Sequence, residues 1–235
     1  MQIAIICLSV ILLLSWVACG LLLWKSGLYK KILAKIGVHV TGVSTNWTLF
    51  SWSSMIEKLD YRPDIVFFGD SITRGSDFRF FFPSKKIVNL GCSGDTVDGL
   101  RERIPMVCAL APQKVFVLVG INGLKKKSRK EQARKYEEML TQLKAAVPSA
   151  TLYVQGLLPI SRSKEKSICP NATIRLFNDT LRALAKKHEC TFIELYDLYE
   201  KEGELNPTLT VDGIHLRENA YDRWAGAIRP FIDSM

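Results

Sequence analysis

The chain has 235 residues, 48% of them hydrophobic, and a formal net charge of +9. So large an apolar fraction excludes a disordered polyelectrolyte, and the six cysteines show no metal-ligand spacing, so neither a zinc scaffold nor any other metal or cofactor is expected. The basic balance suits a membrane surface or an acidic polymer, but no nucleic-acid-binding motif accompanies it, so nucleic acid is not an expected partner.

The first 24 residues carry no charge. As a helix, Ile3 to Trp24 would be about 33 Å long, enough to cross a hydrocarbon core of about 30 Å. The segment lacks the basic start and short apolar core of a signal peptide, and Trp16 fits poorly before Ala18-Cys19 as a lipidation box. Residues 1–24 therefore read as an uncleaved single-pass anchor, 25–45 as a juxtamembrane linker and 46–235 as one domain. Lys25, Lys30, Lys31 and Lys35 follow the span while nothing basic precedes it, which by the positive-inside rule puts the domain in the cytoplasm.

Within the domain, Asp64-Ile65-Val66-Phe67-Phe68 is a continuous apolar run expected as a buried parallel strand, with Gly69 freeing the turn that follows. Asp70-Ser71-Ile72 then places a hydroxyl at the carboxyl edge of the sheet. Phe78, Phe80, Phe81 and Phe82 read first as core, with a glycan or acyl pocket as the other reading. Lys86 to Leu90 is a second strand leading into the turn-rich Gly91-Cys92-Ser93-Gly94-Asp95-Thr96 and a helix around Val97 to Leu110. Lys114 to Val119 is a third strand, ending at Gly120-Ile121-Asn122-Gly123. Lys125, Lys126 and Lys127 come next, then a helix opened by the capping box of Ser128 and Glu131, with Tyr136, Met139, Leu140 and Leu143 on one face. Those lysines are either a solvated cationic loop or an attractor for an anionic substrate. Thr151 to Gln155 and Thr191 to Leu195 are the fourth and fifth strands, flanking a helix from about Ala172 to Lys187, and a last helix spans about Glu218 to Ile232. Alternating strands and helices imply right-handed crossovers and a parallel sheet covered on both faces.

Asp212-Gly213-Ile214-His215 completes a chemical set begun by Ser71: a nucleophile, a base and a carboxylate to orient the base. Asp212 and His215 are three residues apart, close enough for one turn of backbone to present both. If Asp212 takes the Nδ1 proton, Nε2 of His215 is free to accept from Ser71.

Four motifs in order, Gly69-Asp70-Ser71-Ile72, Asn89-Leu90-Gly91-Cys92-Ser93-Gly94-Asp95, Gly120-Ile121-Asn122 and Asp212-Gly213-Ile214-His215-Leu216, resemble the SGNH (GDSL-type) hydrolases. Phe81-Phe82-Pro83 and Gln155-Gly156-Leu157-Leu158-Pro159 are similar to the bacterial acetylesterase-like and platelet-activating-factor-acetylhydrolase-like branch. The resemblance implies a flavodoxin-like three-layer α/β/α fold with a five-stranded parallel sheet. It also implies Ser71, His215 and Asp212 as the catalytic triad, and an oxyanion hole from the amides of Ser71 and Gly91 and the side chain of Asn122. Thr73 after Ile72 departs from the Gly-x-Ser-x-Gly elbow, and Gly123 stands where many relatives carry Asp.

The activity implied is removal of a short acyl group, expected to be acetyl, from a carbohydrate or related ester. A lysophospholipase, a thioesterase, an acyltransferase using the same triad and a non-catalytic glycan-binding module are the alternatives. The resemblance favours an extracytoplasmic domain, against the lysine argument. Cys92 and Cys169 fall in loops on one face, where either separate thiols or a disulfide fits, and Asn46, Asn171 and Asn178 begin Asn-x-Thr triplets that matter only in a glycosylating host.

Overall fold

The computed structural model describes residues 62–125 and 128–234, with Ile56 and Lys58. The expected anchor, the linker and the domain boundary at residue 46 lie outside these residues. Among the described residues, no helix is long and apolar enough to cross a membrane.

The elements follow the expected alternation. Strand β1 (Ile65–Gly69) leads into a single-turn helix α1 (Ser71–Arg74), and β2 (Ile87–Gly91) into α2 (Val97–Leu110). Strand β3 (Lys114–Leu118) is followed by the short α3 (Ile121–Leu124) and the long α4 (Arg129–Ala146), and β4 (Thr151–Gln155) by α5 (Asn171–Lys187). Strand β5 (Thr191–Ile193), the short α6 (Tyr196–Tyr199), a two-residue hairpin of β6 (Glu200–Lys201) and β7 (Glu204–Leu205), and α7 (Tyr221–Asp233) complete the domain. The expected last helix is divided, because Glu218–Ala220 forms a 3-10 turn before α7 starts.

Strands β1 to β5 form one parallel sheet in the order β2-β1-β3-β4-β5. This is the flavodoxin-like order, in which successive crossovers leave β1 in opposite directions and open a crevice between the carboxyl ends of β1 and β3. Every residue of β1 is buried, as a strand covered on both faces requires. The two-residue period of the strands then divides the core. Val66, Phe68, Val115, Val117, Leu152 and Val154 pack against α2, α4 and α5. On the other side Ile65, Phe67, Phe116, Leu118 and Tyr153 pack under α7, around the buried Trp224. In-register Phe67, Phe116 and Tyr153 stack across three strands, with ring centroids 5.1 and 4.4 Å apart. Phe78 extends the stack at 3.7 Å. This rigid aromatic floor fixes where β1 and β3 end, and so where the residues that follow them can reach.

Candidate active site

The Ser71 end of the site is built directly on the sheet. Asp70 caps α1, its Oδ1 accepting from the Ile72 amide at 3.0 Å, which leaves Ser71 as the first helical residue. The Ser71 amide makes no hydrogen bond to another described residue, so it is free for a ligand at the helix start. Asn89 of β2 clamps this turn from the side. Its Nδ2 donates to Thr73 O (2.8 Å) and Ser76 O (2.7 Å), and its Oδ1 accepts from the Gly91 amide (2.8 Å).

That last bond bears on the oxyanion role expected of Gly91, since in this structure its N–H donates to Asn89 Oδ1. The residue must be glycine for a packing reason, since a Cβ there would stand 2.3 Å from the Arg74 nitrogen of α1. The amides of this loop that no described residue engages are those of Ser93 and Gly94.

His215 is presented by a local turn. Asp212 Oδ1 accepts from the amides of Ile214 (3.0 Å) and His215 (2.8 Å), and its Oδ2 lies 2.7 Å from His215 Nδ1. The other ring nitrogen, Nε2, is 3.0 Å from Ser71 Oγ across 144 residues of sequence. Partial burial works to raise the Asp212 carboxyl, but the His215 amide and ring and the Ile214 amide outweigh it and hold it down to about 2. Thr210 staples the turn, its hydroxyl donating to His215 O (2.7 Å) and accepting from the Gly213 amide (2.8 Å). Gly213 takes φ +89° in close contact with Ser161, whose amide donates to Gly213 O at 2.8 Å. The loop after β4 thus supports the Asp212–His215 turn from behind.

Beneath the site lies a buried charge cluster. The Arg103 guanidinium, fully buried on α2, pairs with Asp95 and donates to Leu90 O (2.7 Å) and Gly69 O (3.3 Å), joining the ends of β1 and β2. Asp95 O in turn accepts from Asn122 Nδ2 at 2.9 Å. One amide hydrogen orients Asn122 and the second remains to donate elsewhere. Asp70 is entirely buried, with no partner for Oδ2 among the described residues. Burial, reinforced by the Asp95 charge and opposed by the Ile72 amide and His215, raises its carboxyl to about 7.

The structure brings Ser71, Asp212 and His215 together and sets Asn122 in α3, the short helix after the neighbouring strand β3. Lys125 is exposed just after α3, and Lys126 and Lys127 lie outside the described residues. At Gly123, the buried Gln132 side chain occupies the space a side chain would take, 2.2 Å from a Cβ placed there. The four phenylalanines divide: Phe78 and Phe82 are core, whereas Phe80 is 81% exposed. Cys92, Cys108, Cys169 and Cys190 are free thiols, so Cys92 and Cys169 form no disulfide here. Asn171 and Asn178 are buried, with their amides bonded to Ile160 O and Leu157 O, and neither presents a glycosylation acceptor. Asn46 lies outside the described residues.

Sequence reasoning missed Arg103, Thr210 and the clamp by Asn89. Arg103 did leave a signal, a charge on the apolar stripe of Leu100, Ile104 and Val107.

Comparison with known proteins places this geometry in a family. The model of the GDSL-like lipase/acylhydrolase family matches residues 67–223. No curated protein matches by sequence. Among solved structures, a protein of Streptococcus pneumonia provisionally described as a platelet activating factor shares 21% identity, with a TM-score of 0.75, covering 89% of this chain and 98% of its own. A GDSL-like lipase from Bacteroides thetaiotaomicron shares 22% over 78% of this chain and 96% of its own, with a TM-score of 0.69. A variant of an acetyl-xylooligosaccharide esterase from Geobacillus Stearmophilus shares 18% over 74% and 95%, with a TM-score of 0.57. At these identities the structures speak for the fold, and the family model for the membership. The chain belongs to the GDSL-like lipase/acylhydrolase (SGNH) family and is a hydrolase of ester bonds.

Proposed function

We propose that the protein is a serine esterase that removes a short acyl group, acetyl first among candidates, from a carbohydrate or related ester through an acyl-enzyme. The observation that carries this reading is the unbroken chain from Asp212 Oδ2 through His215 to Ser71 Oγ, at 2.7 and 3.0 Å. Ser71 Oγ attacks the ester carbonyl carbon while its proton passes to Nε2 of His215. The same proton then goes to the departing alcohol oxygen, leaving the acyl group on Ser71. Water, deprotonated by Nε2, adds to the acyl carbon, and the acid leaves as the proton returns to Ser71. The imidazole must be neutral to accept a proton.

The tetrahedral intermediates carry a negative oxygen that needs donors already in place. The free amide of Ser71 and the second Nδ2 hydrogen of Asn122 supply two. Gly94, not Gly91, is our choice for the third, since its amide has no acceptor among the described residues. The carbohydrate part of the reading is supported by structural neighbours described as an acetyl xylan esterase and an acetyl-xylooligosaccharide esterase.

The test is hydrolysis of p-nitrophenyl acetate, butyrate and octanoate by the full-length chain and its Ser71→Ala variant. Short-chain turnover abolished by the substitution is the expected result, and preference for octanoate would redirect the reading to lipids. We further propose that Ile3–Trp24 anchors the chain with the catalytic domain outside the cytoplasm. A domain left intact by protease on whole cells, yet cut after lysis, would overturn that orientation.

A further inference from the structure

Beside the catalytic turn lies an open groove of about 1110 Å³. Its walls are the segment following α1, the Phe80 and Phe81 pair, and residues on both sides of the Asp212–His215 turn. The groove begins at the far end of α1, roughly 6 Å from Ser71 at about 1.5 Å rise per residue. It is larger than an acetyl group or a single sugar ring requires.

Its chemistry is mixed in a particular way. Phe80 is 81% exposed and Val211 59% exposed, and the Phe80 and Phe81 rings cross at 89° with centroids 5.4 Å apart, presenting an apolar face outward. Around them stand Arg217, Asn219 and Asp222. None of these three side chains makes a hydrogen bond or ion pair among the described residues. A fatty chain laid here would strip water from the charges of Arg217, Glu218 and Asp222 and return no hydrogen bond. A polyanion would meet Asp77, Glu218 and Asp222 against the single lining guanidinium of Arg217. A neutral polyhydroxylated chain fits both features, with ring C–H faces on Phe80 and hydroxyls toward Arg217, Asn219 and Asp222.

We propose that this groove binds the alcohol part of the substrate as a chain of several neutral sugar units, with Phe80 as its stacking platform. The inference rests on the esterase reading above and adds the site and the substrate class.

Two measurements on the full-length chain in detergent test it. The first is kcat/KM for an acetylated xylo-oligosaccharide of four or more units divided by kcat/KM for p-nitrophenyl acetate. Phe80→Ala should lower this ratio about three- to tenfold, through KM on the oligosaccharide. The second is calorimetric binding of the unacetylated oligosaccharide to Ser71→Ala, which should weaken by a similar factor when Phe80→Ala is added. An unchanged ratio together with unchanged binding overturns the groove. Loss of Ser71-dependent turnover on every ester would overturn the esterase reading instead, and the binding arm would still decide the groove.

Discussion

Two carboxylates flank the nucleophile, and they live in opposite surroundings. Asp212 sits on an open turn, 43% exposed, holding a charge that three hydrogen bonds support. Asp70, next to Ser71 in the chain, is entirely buried, has one hydrogen bond to Ile72, and is raised to about 7. The Asp212–His215 end of the site is thus made mostly locally, by a turn with one support from the loop after β4. The nucleophile end is made globally, by strand ends, a clamp from Asn89 and the buried Arg103 beneath. Substitutions in the Asp212–His215 turn should change chemistry with little effect on the fold, and substitutions of the supports Asn89 and Arg103 should reach the fold first.

The largest effect expected from breaking the comparison is at Asp212. Asp212→Asn keeps the size and the acceptor for the Ile214 and His215 amides, but it can turn an NH₂ toward Nδ1. That favours the tautomer whose Nε2 carries a proton and cannot take one from Ser71. A fall in kcat of about 10²- to 10⁴-fold follows, with the melting temperature nearly unmoved. A full-rate Asp212→Asn enzyme would show that the carboxylate does no catalytic work.

Arg103 is the converse case. Arg103→Met removes the counter-ion of Asp95 and the donors to Leu90 O and Gly69 O, all within the core. Leaving one partner of a buried pair uncompensated costs about 3–5 kcal/mol, read as an early midpoint in urea. If the variant unfolds where wild type does, the ends of β1 and β2 are held by the sheet alone.

Asp70 offers a test with a sign. Its folded carboxyl titrates at about 7 against 3.8 for an ordinary one, so between those values the folded protein keeps a proton that the unfolded chain has lost. Its contribution to stability is complete below 3.8 and is lost as pH rises through 7. Asp70→Asn retains the helix cap and removes the titration. The variant should gain on wild type as pH goes from 4 to 8, on the order of 2–4 kcal/mol. Parallel stability curves for the two proteins over that range would refute the assignment.

What the sequence could show divides along the same line. The sheet was legible because buried parallel strands are continuous apolar runs, and Ser71, Asp212 and His215 because their motifs are short and local. Arg103, Asn89 and Thr210 were not, since each acts through a partner distant in sequence or through a backbone carbonyl that leaves no mark on residue type. Gly91 illustrates the cost of that blindness. A glycine in a catalytic loop suggests an approach by substrate, whereas here the approach is by the backbone of α1. Phe80 and Phe82, two residues apart on one aromatic run, lie on opposite sides of the boundary between solvent and core, a distinction that only the tertiary path decides.

The smallest effect expected falls on Thr210, and it sharpens the comparison most, because it asks whether the base turn holds itself. Its hydroxyl joins His215 O to the Gly213 amide, while Asp212 alone already ties two amides and the ring. Thr210→Val keeps the shape and removes both bonds, at a cost of about 1 kcal/mol to the turn. With Nε2 at 3.0 Å from Ser71 Oγ, a small displacement of the ring lengthens the proton path, so kcat should fall severalfold with KM on p-nitrophenyl acetate little changed. Thr210→Ser restores the hydroxyl and should restore the rate. Should the valine variant keep full kcat, the geometry of the base is set by Asp212 and the Ser161 contact behind Gly213, and the catalytic turn is even more self-contained than its hydrogen bonds suggest.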